Sequence, residues 1–175
     1  MADRLTTDKS GTRSLSDMSD GSNRSDASDT SATRSPQQTA EFVRDGMLSN
    51  DRVSRGLGMQ VIAVAPGQAS MTMTVRDDML NGHDICHGGL IATLADSTFA
   101  FACNSHNELT LASGFAIDLL APGRAGDVLT ARCVEVSKAG RTGVYDTDVT
   151  NQHGERVAVF RGRSYTLRGK PAVAG

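Results

Sequence analysis

HGGLIATLADSTFAFACN, residues 87–104, is the most apolar helical segment of this 175-residue chain. The segment is rich in Ala and Leu, and it is apolar on almost every side when its residues are placed on a helix. A helix that is apolar all round is typical of a buried position. We therefore predict a long central helix here, enclosed by the rest of the chain.

Upstream of this segment, the sequence predicts a first helix and a β-hairpin. Apolar residues recur at helical spacing over residues 37–50. Residues 59–65 and 69–75 read as strands, and the Pro66-Gly67 pair between them is typical of a tight turn. Two strands joined in this way are expected to pair with each other.

Downstream of the central helix, the sequence predicts four strands. They cover residues 111–120, 128–136, 142–151 and 156–167. Because the three connections between them are short, we predict that successive strands pair antiparallel. The order of elements suits an α+β fold in which one antiparallel sheet wraps around the long central helix.

Composition argues against several classes of function. The formal net charge is −2, so the chain has no basic field that would attract nucleic acid. No apolar run approaches the roughly 20 residues of a membrane-spanning helix, and no signal peptide is evident. The cysteines Cys86, Cys103 and Cys133 are widely spaced and fit reduced thiols. We expect a cytoplasmic protein that binds neither nucleic acid nor membrane.

The N-terminal residues 1–38 differ in kind from the rest of the chain. They contain nine Ser, five Thr and six Asp but no aromatic residue. Such a segment cannot bury enough apolar surface to offset the entropy that ordering costs. We predict a disordered polar tail over residues 1–38 and one folded domain over residues 39–170.

Asp96 is out of place on the apolar central helix, where it lies between Ala95 and Ser97. A buried carboxylate is costly unless it is paired or hydrogen-bonded, so an isolated one calls for an explanation. Perturbed carboxylates cluster at functional sites, and Asp96 is a candidate catalytic group. A structural Asp that caps a neighbouring backbone segment, or that lies at a wet edge, is the alternative.

The triplet His87-Gly88-Gly89 opens the predicted helix. The first N–H groups of a helix have no partner within the helix, and the helix dipole favours negative charge there. Two glycines let a ligand approach the backbone closely. The triplet is therefore a candidate oxyanion site, although an ordinary flexible helix start would have the same sequence.

A metal site and a cysteine nucleophile are weaker candidates in the same region. His83, Cys86 and His87 are residue types that bind zinc, but their spacing matches no standard closed site, and the fourth ligand would have to come from elsewhere, such as His106. Cys86 beside a histidine could in principle be a nucleophile. A small apolar filler is the better interpretation of Cys86, and we predict no metal site.

The segment MLNGHDICHGGLIATLADSTFAFACN, residues 79–104, resembles the signature of PaaI-type phenylacetyl-CoA and hydroxyphenylacetyl-CoA thioesterases, which have the hotdog fold. Three later segments resemble the same family. They are AIDLLAPGRAGD (116–127), GRTGVYD (140–146) and VAVFRGRSY (157–165). The likeness covers about residues 40–168. The motifs are specific when taken together, whereas no single one would be.

The resemblance implies a function for individual residues. Asp96 matches the family's catalytic acid, which acts as nucleophile or general base, and Gly88 matches the oxyanion-hole amide. Asn81 matches the residue that positions the thioester or the attacking water, and His87 is expected to shape the turn and to contact the substrate carbonyl or its neighbours. Three further residues lie where related enzymes contact the CoA nucleotide and its phosphates: Arg124, Arg141 and Thr142.

The resemblance also implies the activity. It indicates an acyl-CoA thioesterase that hydrolyses CoA thioesters to the free acid and CoA without a cofactor. The expected substrate is (hydroxy)phenylacetyl-CoA, an intermediate of phenylacetate catabolism. Two alternatives on the same fold stay open, a non-catalytic acyl-CoA-binding protein and an enoyl-CoA hydratase. No helix-turn-helix pattern is present in residues 1–38, which disfavours a regulator, and a hydratase would release no free CoA.

Helix geometry predicts the oligomeric state. Gly88 and Asp96 should lie roughly 12 Å apart along one helix, whereas both groups must reach one carbonyl at about 3 Å. One subunit cannot easily supply both groups. A two-fold dimer can, because it places the Gly88 end of one helix near Asp96 of its partner. We predict a homodimer with shared sites, and the resemblance implies dimers that pair into tetramers.

Overall fold

The computed structural model describes residues 34–175, and its first element is helix α1, Pro36–Asn50. The Ser35 hydroxyl accepts from the Gln38 N–H at 3.2 Å, and the Gln38 side-chain oxygen accepts from the Ser35 N–H at 2.8 Å. This capping box, with proline in the first helical turn, fixes where α1 begins. Helix α1 therefore starts within the range predicted to be a disordered tail, and residues 1–33 of that range lie outside the described residues.

Every helix and strand predicted from the sequence is present, with bounds that differ by a few residues at most. Two short helical elements were not predicted, a five-residue helix at Arg52–Gly56 and a 3-10 turn at Asp77–Met79. The remaining elements are, in chain order, α2 (Arg52–Gly56), β1 (Gln60–Ala65), β2 (Gln68–Thr74), α3 (Gly88–Asn104), β3 (Thr110–Leu119), β4 (Val128–Ala139), β5 (Thr142–Thr150) and β6 (Arg156–Thr166).

The six strands form one antiparallel sheet in the order β1-β2-β4-β5-β6-β3, which confirms the predicted α+β architecture. The predicted pairing of β3 with β4 is wrong, because β3 pairs with β6 and β4 pairs with β2. Residues 120–127 connect β3 to β4. Eight extended residues reach roughly 26 Å, and three strand spacings amount to roughly 14 Å. The connection can therefore cross the sheet.

Helix α3 lies against one face of the sheet and contacts all six strands. Its fully buried side chains include Leu94 and Phe99. The Phe99 ring meets the Tyr145 ring of β5 at a centroid distance of 5.3 Å and the Phe160 ring of β6 at 6.0 Å. Tilted aromatic pairs of this kind add to the stability that apolar burial supplies. This packing fixes how α3 is rotated relative to the sheet.

One face of α3 is not enclosed. Beyond its first turn, the residues of intermediate exposure on this helix follow helical spacing and form a single stripe: Ala92, Thr93, Asp96, Ser97 and Ala100. The prediction that α3 is buried on every side is therefore wrong for this face. In a single chain the stripe that carries Asp96 lacks a complete cover.

Candidate active site

The N-terminal end of α3 is capped by a histidine. The Nδ1 atom of His87 accepts a hydrogen bond from the Gly89 N–H at 3.1 Å, and the His87 carbonyl accepts from the Leu90 N–H at 2.8 Å. This contact needs an unprotonated Nδ1 and holds the imidazole against the first turn. The His87 ring is therefore a fixed part of the turn, and Nε2 is the ring nitrogen left to face other groups.

Gly88 is the first residue of α3, and its N–H is not used by any hydrogen bond within residues 34–175. A Cβ atom at this position would lie 2.5 Å from the Leu119 Cδ1 atom. Glycine therefore lets β3 approach the helix end closely. An N–H at a helix start without a partner is suited to bind an oxyanion.

Hydrogen bonds in the loop before α3 hold Asn81 near the turn at His87. The Asn81 N–H donates to the Ile85 carbonyl at 2.8 Å, and the Asn81 Oδ1 atom accepts from the His83 N–H at 2.9 Å. The His87 N–H donates to the Met79 carbonyl at 2.9 Å. These bonds hold the Asn81 side chain by its oxygen. They leave its amide nitrogen without a partner among the described residues.

Arg124 lies at the same end of α3. The Cys86 N–H donates to the Gly123 carbonyl at 2.8 Å, which fixes the turn after β3 beside the start of the helix. The Arg124 N–H donates to the Asp127 carboxylate at 2.7 Å, and the Arg124 side chain is exposed. The structure therefore brings Arg124 into one group with Asn81 and the capped end of α3.

Asp96 lies in the middle of α3 and lines a cavity of about 310 Å³. Burial raises the pKa of the Asp96 carboxyl above its ordinary value. Asp96 is the single carboxylate among the lining residues, which otherwise are mostly apolar: Met47, Phe99, Ala100, Cys103, Asn104, Leu109, Thr110, Leu111, Ala112 and Ala172. The carboxylate thus faces an apolar cavity.

The two uncharged polar residues of this cavity bind each other. The Asn104 side chain donates to the Thr110 carbonyl at 2.9 Å and accepts from the Thr110 N–H at 2.9 Å. The Thr110 hydroxyl lies 3.0 Å from the Thr166 hydroxyl. Since these polar groups are already satisfied, the wall beyond Asp96 offers apolar contact to a ligand.

Arg141 lies in the turn between β4 and β5, and Thr142 is the first residue of β5. The Arg141 Nη1 atom donates to the Tyr165 hydroxyl at 3.0 Å. Thr142 pairs with Tyr165, which in turn pairs with Leu111 at the first half of β3. Leu111 also lines the cavity beside Asp96. Arg141 and Thr142 therefore lie at the same end of the sheet as the start of β3 and Asp96.

The proposed site residues therefore form two groups within one chain. Asn81, His87, Gly88 and Arg124 lie near the last residues of β3, and Asp96 lies near the first residues of that strand. Gly88 and Asp96 are roughly 12 Å apart by helical rise, and Gly88 does not line the cavity beside Asp96. The described chain by itself does not bring these two residues together.

The structure offers little support for a metal ion or a cysteine nucleophile. His106 lies beyond the C-terminal end of α3, opposite to His87, and its Nε2 is 3.6 Å from Glu135. No cluster of three or more His, Cys, Asp or Glu residues within residues 34–175 is placed to hold a metal. Burial raises the pKa of the Cys86 thiol, which disfavours the thiolate.

None of the described helices is long and apolar enough to cross a membrane.

Comparison with known proteins identifies the family. A family model for the thioesterase superfamily matches residues 83–158. Acyl-coenzyme A thioesterase PaaI from Escherichia coli K12 is 46% identical over 123 residues, which are 70% of this chain and 88% of that protein. The chain belongs to the PaaI-like thioesterases. It is accordingly a thioester hydrolase, and the resemblance stated from its motifs is confirmed.

Solved structures agree with this family and its hotdog fold. The structure of E. coli PaaI from the phenylacetic acid degradation operon superposes with a TM-score of 0.76 at 43% identity, covering 78% of this chain and 99% of that one. A hypothetical thioesterase from Streptococcus pneumoniae, solved with coenzyme A, matches with a TM-score of 0.60 at 27% identity, covering 62% and 88%. The predicted hotdog fold is confirmed.

Sequence reasoning missed several residues that shape the site of this PaaI-like thioesterase. Leu119 covers Gly88, and Met47 of α1 lines the cavity beside Asp96. Ala172 lines it as well, although the folded domain was predicted to end at residue 170. A strand-like pattern and a helical pattern predict elements, but neither tells which side chains of distant segments meet.

Proposed function

We propose that this PaaI-like thioesterase hydrolyses acyl-CoA thioesters, with phenylacetyl-CoA and hydroxyphenylacetyl-CoA as preferred substrates. The observation that carries the proposal is the cavity beside Asp96, where one half-buried carboxylate faces an apolar wall suited to an aryl group. The names of the E. coli relative, an acyl-coenzyme A thioesterase from a phenylacetic acid degradation operon, support this substrate class. The S. pneumoniae structure with coenzyme A supports recognition of the CoA moiety.

The chemistry needs two groups on one carbonyl. In this proposal the Gly88 N–H stabilises the oxyanion that develops as the carbonyl is attacked. Asp96 acts on the attacking side, either as a nucleophile that forms an anhydride and expels the CoA thiolate, or as a base that deprotonates water. In both routes one water is consumed, and the products are the free acid and CoA. Thioester hydrolysis by these groups requires no metal.

The antiparallel course of β3 along α3 suggests how a dimer would complete the site. Leu119, near the end of β3, lies at Gly88, whereas Leu111, near its start, lines the cavity of Asp96. If two copies of β3 pair antiparallel about a two-fold axis near Phe115, the Leu119 end of one strand meets the Leu111 end of the other. Gly88 of each subunit then lies close to the partner's Asp96.

The same axis would assemble the CoA-binding residues. Arg124 belongs to the Gly88 end of one subunit, and Arg141 and Thr142 belong to the Leu111 end of the other. Guanidinium groups are suited to bind the phosphates of CoA. In this arrangement the nucleotide lies across the interface, with an arginine from each subunit.

Asn81 and His87 complete the proposed machinery. The Asn81 amide nitrogen is free to orient the thioester or the attacking water, because its oxygen is held by the His83 N–H. His87 holds the turn that presents the Gly88 N–H. Neither group carries charge developed in the reaction, so both are assigned to positioning.

Thiol release from phenylacetyl-CoA tests the proposal. Asp96→Asn should lower kcat by about 10²- to 10⁴-fold, the usual contribution of a positioned acid–base group, while the dimer and substrate binding persist. Because burial raises the pKa of Asp96, kcat/KM should fall as the pH drops through a value above that of a free Asp. Thiol release by Asp96→Asn at the wild-type rate would refute the assignment of Asp96.

A further inference from the structure

The chain beyond β6 turns back along the loop between α3 and β3. The Leu167 N–H donates to the Leu109 carbonyl at 2.8 Å, and the Leu109 N–H donates to the Lys170 carbonyl at 2.8 Å. The Asn107 side chain accepts from the Val173 N–H at 2.9 Å and donates to the Val173 carbonyl at 3.2 Å. Four hydrogen bonds therefore hold residues 167–173 in a defined path.

The same segment also packs against α1. A Cβ atom at Gly46 would clash with the Val173 side chain, so Val173 sits directly on this helix. The Ala172 N–H donates to the Asn107 carbonyl at 3.4 Å. The segment is thus held between α1 and the loop that follows α3, and Ala172 is fixed between these two contacts.

Ala172 lies at the far end of the cavity beside Asp96. The α3 residues that line this cavity run from Asp96 to Asn104, the last residue of the helix, and so lead away from Gly88. Asn107, which binds the Ala172 backbone, lies just beyond that helix end. A thioester carbonyl at Asp96 would therefore direct its acyl group toward Ala172.

We infer that Ala172, held in place by the segment 167–173, forms the end wall of the acyl cavity, and that its small side chain sets the largest acyl group the enzyme accepts. The inference rests on the proposed function, since it takes the cavity to hold the acyl group. A methyl group at this position leaves room for an aromatic ring, whereas a larger side chain fills the same space.

Binding of a stable analogue tests the wall without requiring turnover. The probes are CoA and its S-phenylethyl thioether, which carries a CH₂ in place of the carbonyl. Wild type should bind the thioether at least tenfold more tightly than CoA. Ala172→Leu should bring the thioether close to the affinity of CoA and leave CoA binding unchanged. Ala174→Leu is the matched control, because Ala174 is exposed and does not line this cavity, and it should bind as wild type does.

Ala172→Gly tests the same wall if Ala172→Leu folds poorly. Ala172→Gly enlarges the cavity and should improve binding of the longer S-phenylpropyl thioether relative to the phenylethyl one. Thioether binding by wild type that is no tighter than CoA binding would overturn the wall assignment. So would unchanged thioether selectivity in both variants. Tight, variant-sensitive thioether binding without thiol release from any acyl-CoA would instead refute the proposed hydrolysis and leave the wall intact.

Discussion

The two edge strands of the sheet, β1 and β3, differ in length and cover. Strand β1 has 6 residues, carries an irregularity between Val61 and Ala63, and is bound by α1 where the Gln37 side chain donates to the Val64 carbonyl at 2.9 Å. Strand β3 has 10 residues and also carries an irregularity, between Ala112 and Gly114, but within residues 34–175 no strand covers its outer side. Three of its large apolar side chains are about half exposed: Leu111, Phe115 and Leu119.

Edge strands of stable monomers are kept short, kinked, charged or covered, because an open edge pairs with other chains. Both strands are kinked, but β1 is also short and covered by α1, whereas β3 is long, uncovered within the described residues, and carries Asp118 as its single charged residue. The difference makes β3 the edge at which the proposed dimer would form. Gly88 and Asp96 lie near opposite ends of this edge, so antiparallel pairing there would bring Gly88 of one subunit close to Asp96 of the other.

Phe115→Asp is expected to have the largest effect on dimer formation and activity. Phe115 lies at the middle of β3, where a two-fold axis would bring it near its own copy, and two facing carboxylates would repel. We expect monomers and a loss of activity of about 10²- to 10⁴-fold, because each site loses either its oxyanion donor or its acid–base group. Light scattering and thiol release measure the two outcomes.

The matched control is Ile62→Asp on β1. Ile62 is 59% exposed and Phe115 is 46% exposed, so both substitutions place a carboxylate on an edge strand at a partly exposed apolar position. The β1 variant should remain an active dimer. Phe115 also stacks on Phe160 at a centroid distance of 5.0 Å, so circular dichroism must show that the Phe115 variant is folded. A folded, fully active monomer would exclude the shared site.

Mixed dimers of two inactive variants test directly whether Gly88 and Asp96 act across the β3 edge. Asp96→Asn removes the acid–base group, and Gly88→Val crowds the oxyanion donor against Leu119. A heterodimer should hold one intact site, built from the Gly88 of one subunit and the Asp96 of its partner. Refolding an equal mixture should restore about a quarter of wild-type activity, since half of the dimers are mixed and each has one of two sites.

Mass spectrometry of the intact dimers provides the control for that experiment. It must show that heterodimers form in the refolded mixture, and each variant refolded alone must stay inactive. Heterodimers that form and yet release no thiol would show that Gly88 and Asp96 do not act across the interface.

The fold was largely predictable, because each element carries a local signal. Residues 87–104 are apolar enough to indicate a central helix, and the Pro66-Gly67 turn indicated the first hairpin. The pairing of β3 with β6 was not predictable in this way. A short connection favours neighbours, but it does not force pairing when residues 120–127 can cross the sheet.

The candidate site was predictable only where a residue type is out of place. Asp96 on an apolar helix and the glycines at its start were such signals. Ala172 and Met47 gave no signal, because small or apolar side chains are ordinary anywhere in a core. Their part in the site depends on which distant segments meet, and that follows from tertiary packing.

Substitution of one arginine near each edge strand of the sheet tests which of them binds CoA. Arg124 lies in the turn after β3, and Arg132 lies exposed on β4 beside β2, toward the β1 edge. Arg124→Ala should raise KM for phenylacetyl-CoA by about tenfold, the effect of losing one charge-assisted hydrogen bond to phosphate. A short pantetheine thioester lacks the nucleotide, so its KM should not change. Arg132→Ala should leave both KM values unaltered, and equal effects of the two variants would remove Arg124 from the CoA site.

A smaller effect, on stability alone, is expected from loosening the cover of β1. Because Gln37 of α1 binds the β1 backbone, the Ser35 capping box helps to keep this edge closed. Ser35→Ala should lower the free energy of unfolding by about 1 kcal/mol, the usual value of an N-cap, without changing kcat.

Deletion of residues 1–33 tests the tail against this cap. We propose that the deletion leaves both stability and activity unaltered, since that segment has no aromatic residue and few large apolar ones, and Ser35 is retained. A deletion that extends through residue 36 removes the cap together with the proline of the first turn, and should destabilise the fold at least as much as Ser35→Ala. Urea unfolding of the two deletion variants and of Ser35→Ala measures the free energy of unfolding of each. If the shorter deletion costs as much as the longer one, the tail contributes to the fold and the boundary drawn at the cap is wrong.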